Sequence, residues 1–100
     1  MNVEITQTDN QVTVTLEGRL DTVTSSEFEK NLAPYISMPA VKLIMDCSAM
    51  EYISSAGLRV VLMAHKNITA KGGLFVVRNL SKEVRSVFDM TGFSRILTIE

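Results

Sequence analysis

Two adjacent serines, Ser54 and Ser55, lie between the apolar run Val41–Met45 and a long amphipathic stretch that starts at Ser55. Hydroxyls at the start of a helix do one of two things. They cap the helix by accepting an amide proton, serine being a preferred cap. Or they accept a phosphoryl group, whose roughly −1.5 to −2 charge would meet free amides and a favourable dipole. The two roles are compatible, and either serine can fill either one. Gly57, in the first turn, would let a partner's backbone come close. Asp21 and Asp46 each follow a strand-like run and could orient a hydroxyl or shape a partner's view of it. Alone, such aspartates are ordinary turn and cap residues. They form no metal site, because the chain offers no fixed ligand spacing.

Other chemistry is poorly supported. His65 is the only histidine. It sits ten residues beyond Ser55 on one helix, about 15 Å at 1.5 Å per residue, out of reach for a Ser–His pair. Ser54-Ser55-Ala56-Gly57 lacks the glycine–any–serine–any–glycine spacing of a nucleophile elbow. Gly72-Gly73 has no following Lys-Ser/Thr, so it is no phosphate-binding loop. Cys47, the sole cysteine, excludes an internal disulfide and a thiolate cluster, and reads as a small buried hydrophobe. No cofactor is implied. Met63 stands on the polar side of its helix beside Arg59 and Lys66. A mixed apolar and basic face near the helix start suits a protein partner.

The elements that must carry these residues follow from periodicity. Val3 and Ile5, then Val12, Val14 and Leu16, alternate with polar residues around Thr8–Gln11, which predicts an antiparallel hairpin. Thr24 to Glu27 is a capping-box pattern, with Val23 and Phe28 in staple positions. Phe28, Leu32, Tyr35 and Ile36 continue as a helical stripe that Pro34 ends near Ala33 or kinks. Val41–Met45 reads as a central strand covered on both faces and ending at Asp46, followed by a loop. From Ser55 to Ala70, Leu58, Val60, Val61, Leu62, Ala64, His65 and Ile68 share an arc of roughly 200°. Gly72 ends that helix. Leu74–Val77 is a further strand. Ser81 caps a third helix through Val84, Val87 and Phe88, Gly92 follows its end, and Phe93 can fold back on Phe88. Ile96–Ile99 is a last strand. Strands alternating with helices predict an α/β fold, a single domain over residues 1–100. Its mixed sheet has an N-terminal antiparallel hairpin and parallel strands joined by crossover helices. Sites in such sheets gather at the carboxyl ends of the strands.

Composition bounds the function. The chain has 100 residues, 46% hydrophobic and 21% charged, with net charge −1. That is ordinary globular composition without the basic footprint of a nucleic-acid binder. The first twenty residues lack a basic start and an apolar h-region, so no signal peptide is expected. No apolar run approaches the ~20 residues of a membrane span. A reducing, cytoplasmic setting fits the single cysteine.

Gly18-Arg-Leu-Asp21, Asp46-Cys-Ser48, Tyr52-Ile-Ser-Ser-Ala-Gly-Leu58, Gly72-Gly73 and Phe88-Asp-Met-Thr-Gly-Phe93, in this order, resemble a STAS domain, the sulfate transporter and anti-sigma factor antagonist family. The resemblance spans essentially the whole chain and points to a stand-alone anti-sigma factor antagonist, not a transporter tail. It implies a partner switch. The unphosphorylated protein binds an anti-sigma factor that is also a serine kinase. Phosphorylation of a serine at the start of the helix Ser55–Ala70 ends binding, and a PP2C-type phosphatase restores it. Many members carry Asp-Ser-Ser/Thr-Gly-Leu where this chain has Ser54-Ser55-Ala56-Gly57-Leu58. Alanine cannot accept phosphate, so Ser55 becomes the favoured acceptor and Ser54 the reserve. The partner surface would then take in Ser54, Ala56, Leu58, Arg59, Met63 and Lys66, with a monomer as the free state and no catalytic residue of its own. The alternative is a non-switching STAS-like subunit of a lipid-transport ATPase. A hydrolase using Ser55 is a third and weaker reading.

Overall fold

The computed structural model describes residues 1–100, with a radius of gyration of 12.2 Å. In chain order the elements are β1 (Asn2–Thr8), β2 (Gln11–Leu20), α1 (Thr22–Ile36), β3 (Lys42–Ile53), α2 (Ser55–Ala70), β4 (Leu74–Arg78), α3 (Lys82–Met90), α4 (Phe93–Ile96) and β5 (Thr98–Ile99). The strands form one sheet in the order β1-β2-β3-β4-β5, antiparallel between β1 and β2 and parallel elsewhere. This is the mixed α/β architecture anticipated from the alternation of strand and helix patterns.

The core follows from the period-2 pattern. Val12, Val14 and Leu16 of β2, Leu43 and Met45 of β3, and Phe75 and Val77 of β4 point to one face. Phe28, Leu32 and Ile36 of α1, Leu58, Val61, Ala64 and Ile68 of α2, and Val84 and Phe88 of α3 join the same cluster. All three long helices therefore cover one side of the sheet. Phe28, Phe75 and Phe88 are essentially inaccessible. Each contributes about 1.5–3 kcal/mol relative to an exposed ring.

The other face is also buried at its centre, but not by the main cluster. Val41–Met45 reads as a strand covered on both sides. Ile44 and Val76, which are register partners, are buried outside the main cluster. They are the apolar middle of a sheet face that otherwise carries Thr6, Thr13 and Thr98.

Strand β3 is also longer than its apolar run, continuing through Asp46 to Ile53 where a loop was expected. It stays paired with β2 by absorbing extra residues. Thr15 pairs with Asp46 and Arg19 with Tyr52, so four steps on β2 match six on β3. Such bulges bend a strand and steepen its twist. Gly18, at φ +100°, lies within this irregular stretch.

Three local corrections concern helix ends. Helix α1 begins at Thr22, and its cap is Asp21, not Thr24: the Asp21 carboxylate accepts from the Val23 and Thr24 amides, both at 3.0 Å. Thr24 Oγ1 closes the box by accepting from Asp21 N–H at 2.9 Å. Val23 is consequently exposed and forms no staple with Phe28. Pro34 does not end the helix at Ala33, since α1 runs on to Ile36. Ser37 Oγ, just beyond, donates to the carbonyls of Ala33 and Pro34. At the C-terminus, Ile96 belongs to the short turn α4, and only Thr98–Ile99 pair as β5. The Ser81 cap, Gly92 at φ +82° and the edge-on packing of Phe93 against Phe88, 6.5 Å between centroids, are as the sequence suggests.

Candidate partner-binding site

The junction of β3 and α2 lies at the carboxyl end of the parallel strands. Ser54 N–H donates to Leu20 O of β2 at 2.9 Å, which fastens the helix start to the neighbouring strand. Ser54 is extended (φ −95°, ψ 174°), and its hydroxyl accepts from Gly57 N–H at 3.2 Å. Its carbonyl takes the first helical bond, from Leu58 N–H at 2.9 Å. Ser54 is thus the N-cap of α2. Ser55 is the first helical residue, and its exposed hydroxyl has no hydrogen-bond partner in the fold. The sequence left the cap open to either serine; the structure gives it to Ser54 and leaves the Ser55 hydroxyl unengaged.

Gly57 serves packing. A Cβ there would lie 2.8 Å from Leu20 Cγ and 2.9 Å from Leu20 O. Glycine lets α2 sit directly on the end of β2, so it faces the core and is closed to any partner. Leu58, expected at the partner surface, is likewise buried. Ala56 is half-buried.

The exposed face of α2 carries the rest. Arg59, Leu62, Met63, Lys66 and Asn67 line a shallow depression of about 260 Å³. Arg59 and Lys66 are exposed. Met63 is not a free solvent-side residue: it is half-buried and packs against the core edge. Asn67 Nδ2 donates to its sulfur at 3.1 Å. A larger hollow of about 460 Å³, between Met1, Asn2, Glu17, Gly18, Ala49 and Glu51, shares no residue with this junction.

The two aspartates part company. Asp21 is a structural cap next to Leu20, and the Thr24 backbone N–H holds its carboxyl below the ordinary 3.8. Asp46 sits within β3, not at its end, and accepts from Ser48 N–H at 3.0 Å and Asn79 Nδ2 at 3.3 Å. The Ser48 amide lowers its pKa in the same way. Neither hydrogen bond of Asp46 reaches a serine of the junction. The feature the sequence could not reveal is a stack of Arg19 on Tyr52, 4.2 Å from the guanidinium carbon to the ring centroid. It depends on the bulged register that sets Arg19 opposite Tyr52, one residue before Leu20 and Ile53.

His65 is half-buried, and its Nδ1 is enclosed without a partner. Cys47 is buried and its pKa is pushed up to about 12, first by desolvation. No three His, Cys, Asp or Glu side chains gather as metal ligands. No helix is long and apolar enough to cross a membrane.

Comparison with known proteins places this geometry. The family model described as the STAS domain matches residues 2–100. BtrV of Bordetella bronchiseptica is 30% identical over 99% of this chain and 85% of its own length. The anti-sigma-B factor antagonist of Bacillus subtilis is 28% identical over 99% of this chain and 90% of its own. Among solved structures, an anti-sigma-factor antagonist (STAS) domain protein from Planctomyces limnophilus superposes with a TM-score of 0.88 at 14% identity, covering 97% of this chain and 87% of that one. Unphosphorylated SpoIIAA gives 0.78 at 22% identity, over 99% and 87%. These structures share the fold. With a match over nearly its whole length, this chain belongs to the STAS domain family.

Proposed function

We propose that this protein is an anti-sigma factor antagonist that works by partner switching, with Ser55 as the switch. In its unmodified form it binds an anti-sigma factor that is also a serine kinase, and so frees a sigma factor. Ser55 Oγ then attacks the γ-phosphorus of the kinase's ATP. The new P–O bond forms as the bond to the bridging β-phosphate oxygen breaks, ADP leaves, and the hydroxyl proton passes to a base of the kinase. The product is a phosphoserine that no longer suits the partner, until a PP2C-type phosphatase hydrolyses it. The protein contributes the acceptor and the docking face, so it needs no catalytic group, cofactor or metal of its own. We place it in the cytoplasm, monomeric when free.

One observation carries the choice of residue: Ser54 Oγ is engaged with Gly57 N–H, while Ser55 Oγ is exposed and unengaged beside the Arg59–Lys66 depression. The names of the relatives support the role, and SpoIIAA, a protein of this fold, has been solved in phosphorylated and unphosphorylated forms. A dianion at the first position of α2 agrees with the helix dipole, so the fold tolerates it. Its effect falls on the partner, through repulsion and desolvation.

Affinity capture with wild type, Ser55→Ala and Ser55→Asp tests this. A kinase-like anti-sigma factor should be recovered with the first two and lost with the third, which keeps its far-ultraviolet spectrum. Full recovery on Ser55→Asp, or phosphate mapped by mass spectrometry to another residue, would overturn it. Recovery of ATPase subunits would favour the lipid-transport reading, and labelling of Ser55 by a serine-hydrolase probe the enzymatic one.

A further inference from the structure

Ser55 and Arg59 are four residues apart on α2, so their side chains share one helix face, with Cβ atoms roughly 5–6 Å apart. Both are exposed. The order, an anion N-terminal to a cation at i+4, is the favourable one. Arg59 has no competing partner. The ion pairs of the fold join Arg78 to Glu100 and Arg85 to Asp89. Helix α2, from Ser55 to Ala70, contains no aspartate or glutamate. The other nearby arginine, Arg19, is stacked on Tyr52. Asp21 is folded into its own cap.

We propose that phosphate on Ser55 closes a bridge to Arg59 and thereby withdraws that guanidinium from the partner-binding depression. The inference rests on Ser55 being the acceptor. Its chemistry is a charge-assisted pair between a phosphate and a planar, two-pronged donor, the strongest class of side-chain hydrogen bond. The amides of Ser55 and Ala56, which have no intrahelical acceptor, complete the phosphate's surroundings. Gly57 N–H is already held by Ser54 Oγ. Modification therefore acts twice on the same surface. It adds a negative group at the helix start, and it folds the first cation of the docking face onto that group. Repulsion alone would leave Arg59 available to an acidic partner group; the bridge does not.

The test needs neither kinase nor partner, so its outcome is separate from that of the capture experiment. Phosphoserine is encoded at position 55 during synthesis, in wild type and in Arg59→Gln. The phosphate is titrated by phosphorus NMR at low salt, and the arginine Nε–H signals are followed. In wild type the second pKa of the phosphate should be lower than in Arg59→Gln by about 0.4 unit, a roughly 2.5-fold shift in the protonation equilibrium. Lys66→Gln should match wild type. The Arg59 Nε–H signal should move on phosphorylation while that of Arg19 stays in place. Equal phosphate pKa values in wild type and Arg59→Gln, or an Arg59 signal indifferent to the phosphate, would overturn the bridge even if Ser55 proves to be the acceptor.

Discussion

Replacing Gly57 by alanine sets two opposed effects against each other at the helix start. In an exposed helix the change stabilises by about 0.8–1 kcal/mol. Here the new methyl would lie 2.8 Å from Leu20 Cγ, 2.9 Å from Leu20 O and 3.0 Å from Ile53 Cγ1. Carbon atoms rest about 3.5–4.0 Å apart, so the first turn of α2 must retreat by roughly 0.7–1 Å. Leu20 is 0% and Ile53 3% exposed, so neither side chain has free space to yield into. Overpacking of this kind costs about 1–3 kcal/mol. The retreat also stretches the bond from Ser54 N–H to Leu20 O, now 2.9 Å, and such a bond is worth about 1 kcal/mol. The balance is a loss of roughly 1–2 kcal/mol, or about 5–15 °C in Tm for a chain of this size. Thermal and urea unfolding followed by far-ultraviolet circular dichroism would measure it. A Tm equal to or above wild type would refute the direct seating of α2 on the end of β2, and with it the geometry assigned to the two serines.

The serines themselves can be separated by stability. Ser54→Ala should lose about 0.5–2 kcal/mol because it removes a cap, whereas Ser55→Ala should stay within about 0.5 kcal/mol; equal losses in urea titrations would contradict the division. Cys47 should react slowly with a disulfide reagent in the native protein at pH 8 and rapidly once unfolded. Its folded pKa of about 12 lies above the ordinary 9.0, so the stability linked to the neutral thiol is complete below pH 9 and declines as pH rises toward 12. Fast stoichiometric labelling of the folded protein would show that the strand does not enclose it.

Much of this fold was legible in the sequence because its sheet buries one face. Val12, Val14 and Leu16 could only be a half-buried strand, and the 200° arc of α2 only a packed helix. The misreadings have one cause: tertiary neighbours that no local pattern records. Asp46 looked like a strand end because it is polar, but on the helix-free face of the sheet a polar residue is compatible with continued pairing. The capping box read at Thr24 to Glu27 lies three residues late, because Asp21 caps the helix where β2 gives out at Leu20. At the site, the sequence narrowed the hydroxyls to two adjacent serines. It could not see that Gly57 and Leu58 face inward, because that depends on how closely α2 approaches Leu20 and Ile53. Arg19 beside Tyr52 was hidden for a similar reason, since bulges set its register.

For the switch proposed at Ser55, the separation of the two serines has a consequence for how it persists in a lineage. Selection for a folded domain acts on Ser54, whose loss weakens α2, and is indifferent to Ser55, whose hydroxyl supports nothing in the fold. Regulation and architecture are therefore inherited separately. A gene can drop or regain the proposed acceptor by a single codon change without disturbing the cap that starts α2.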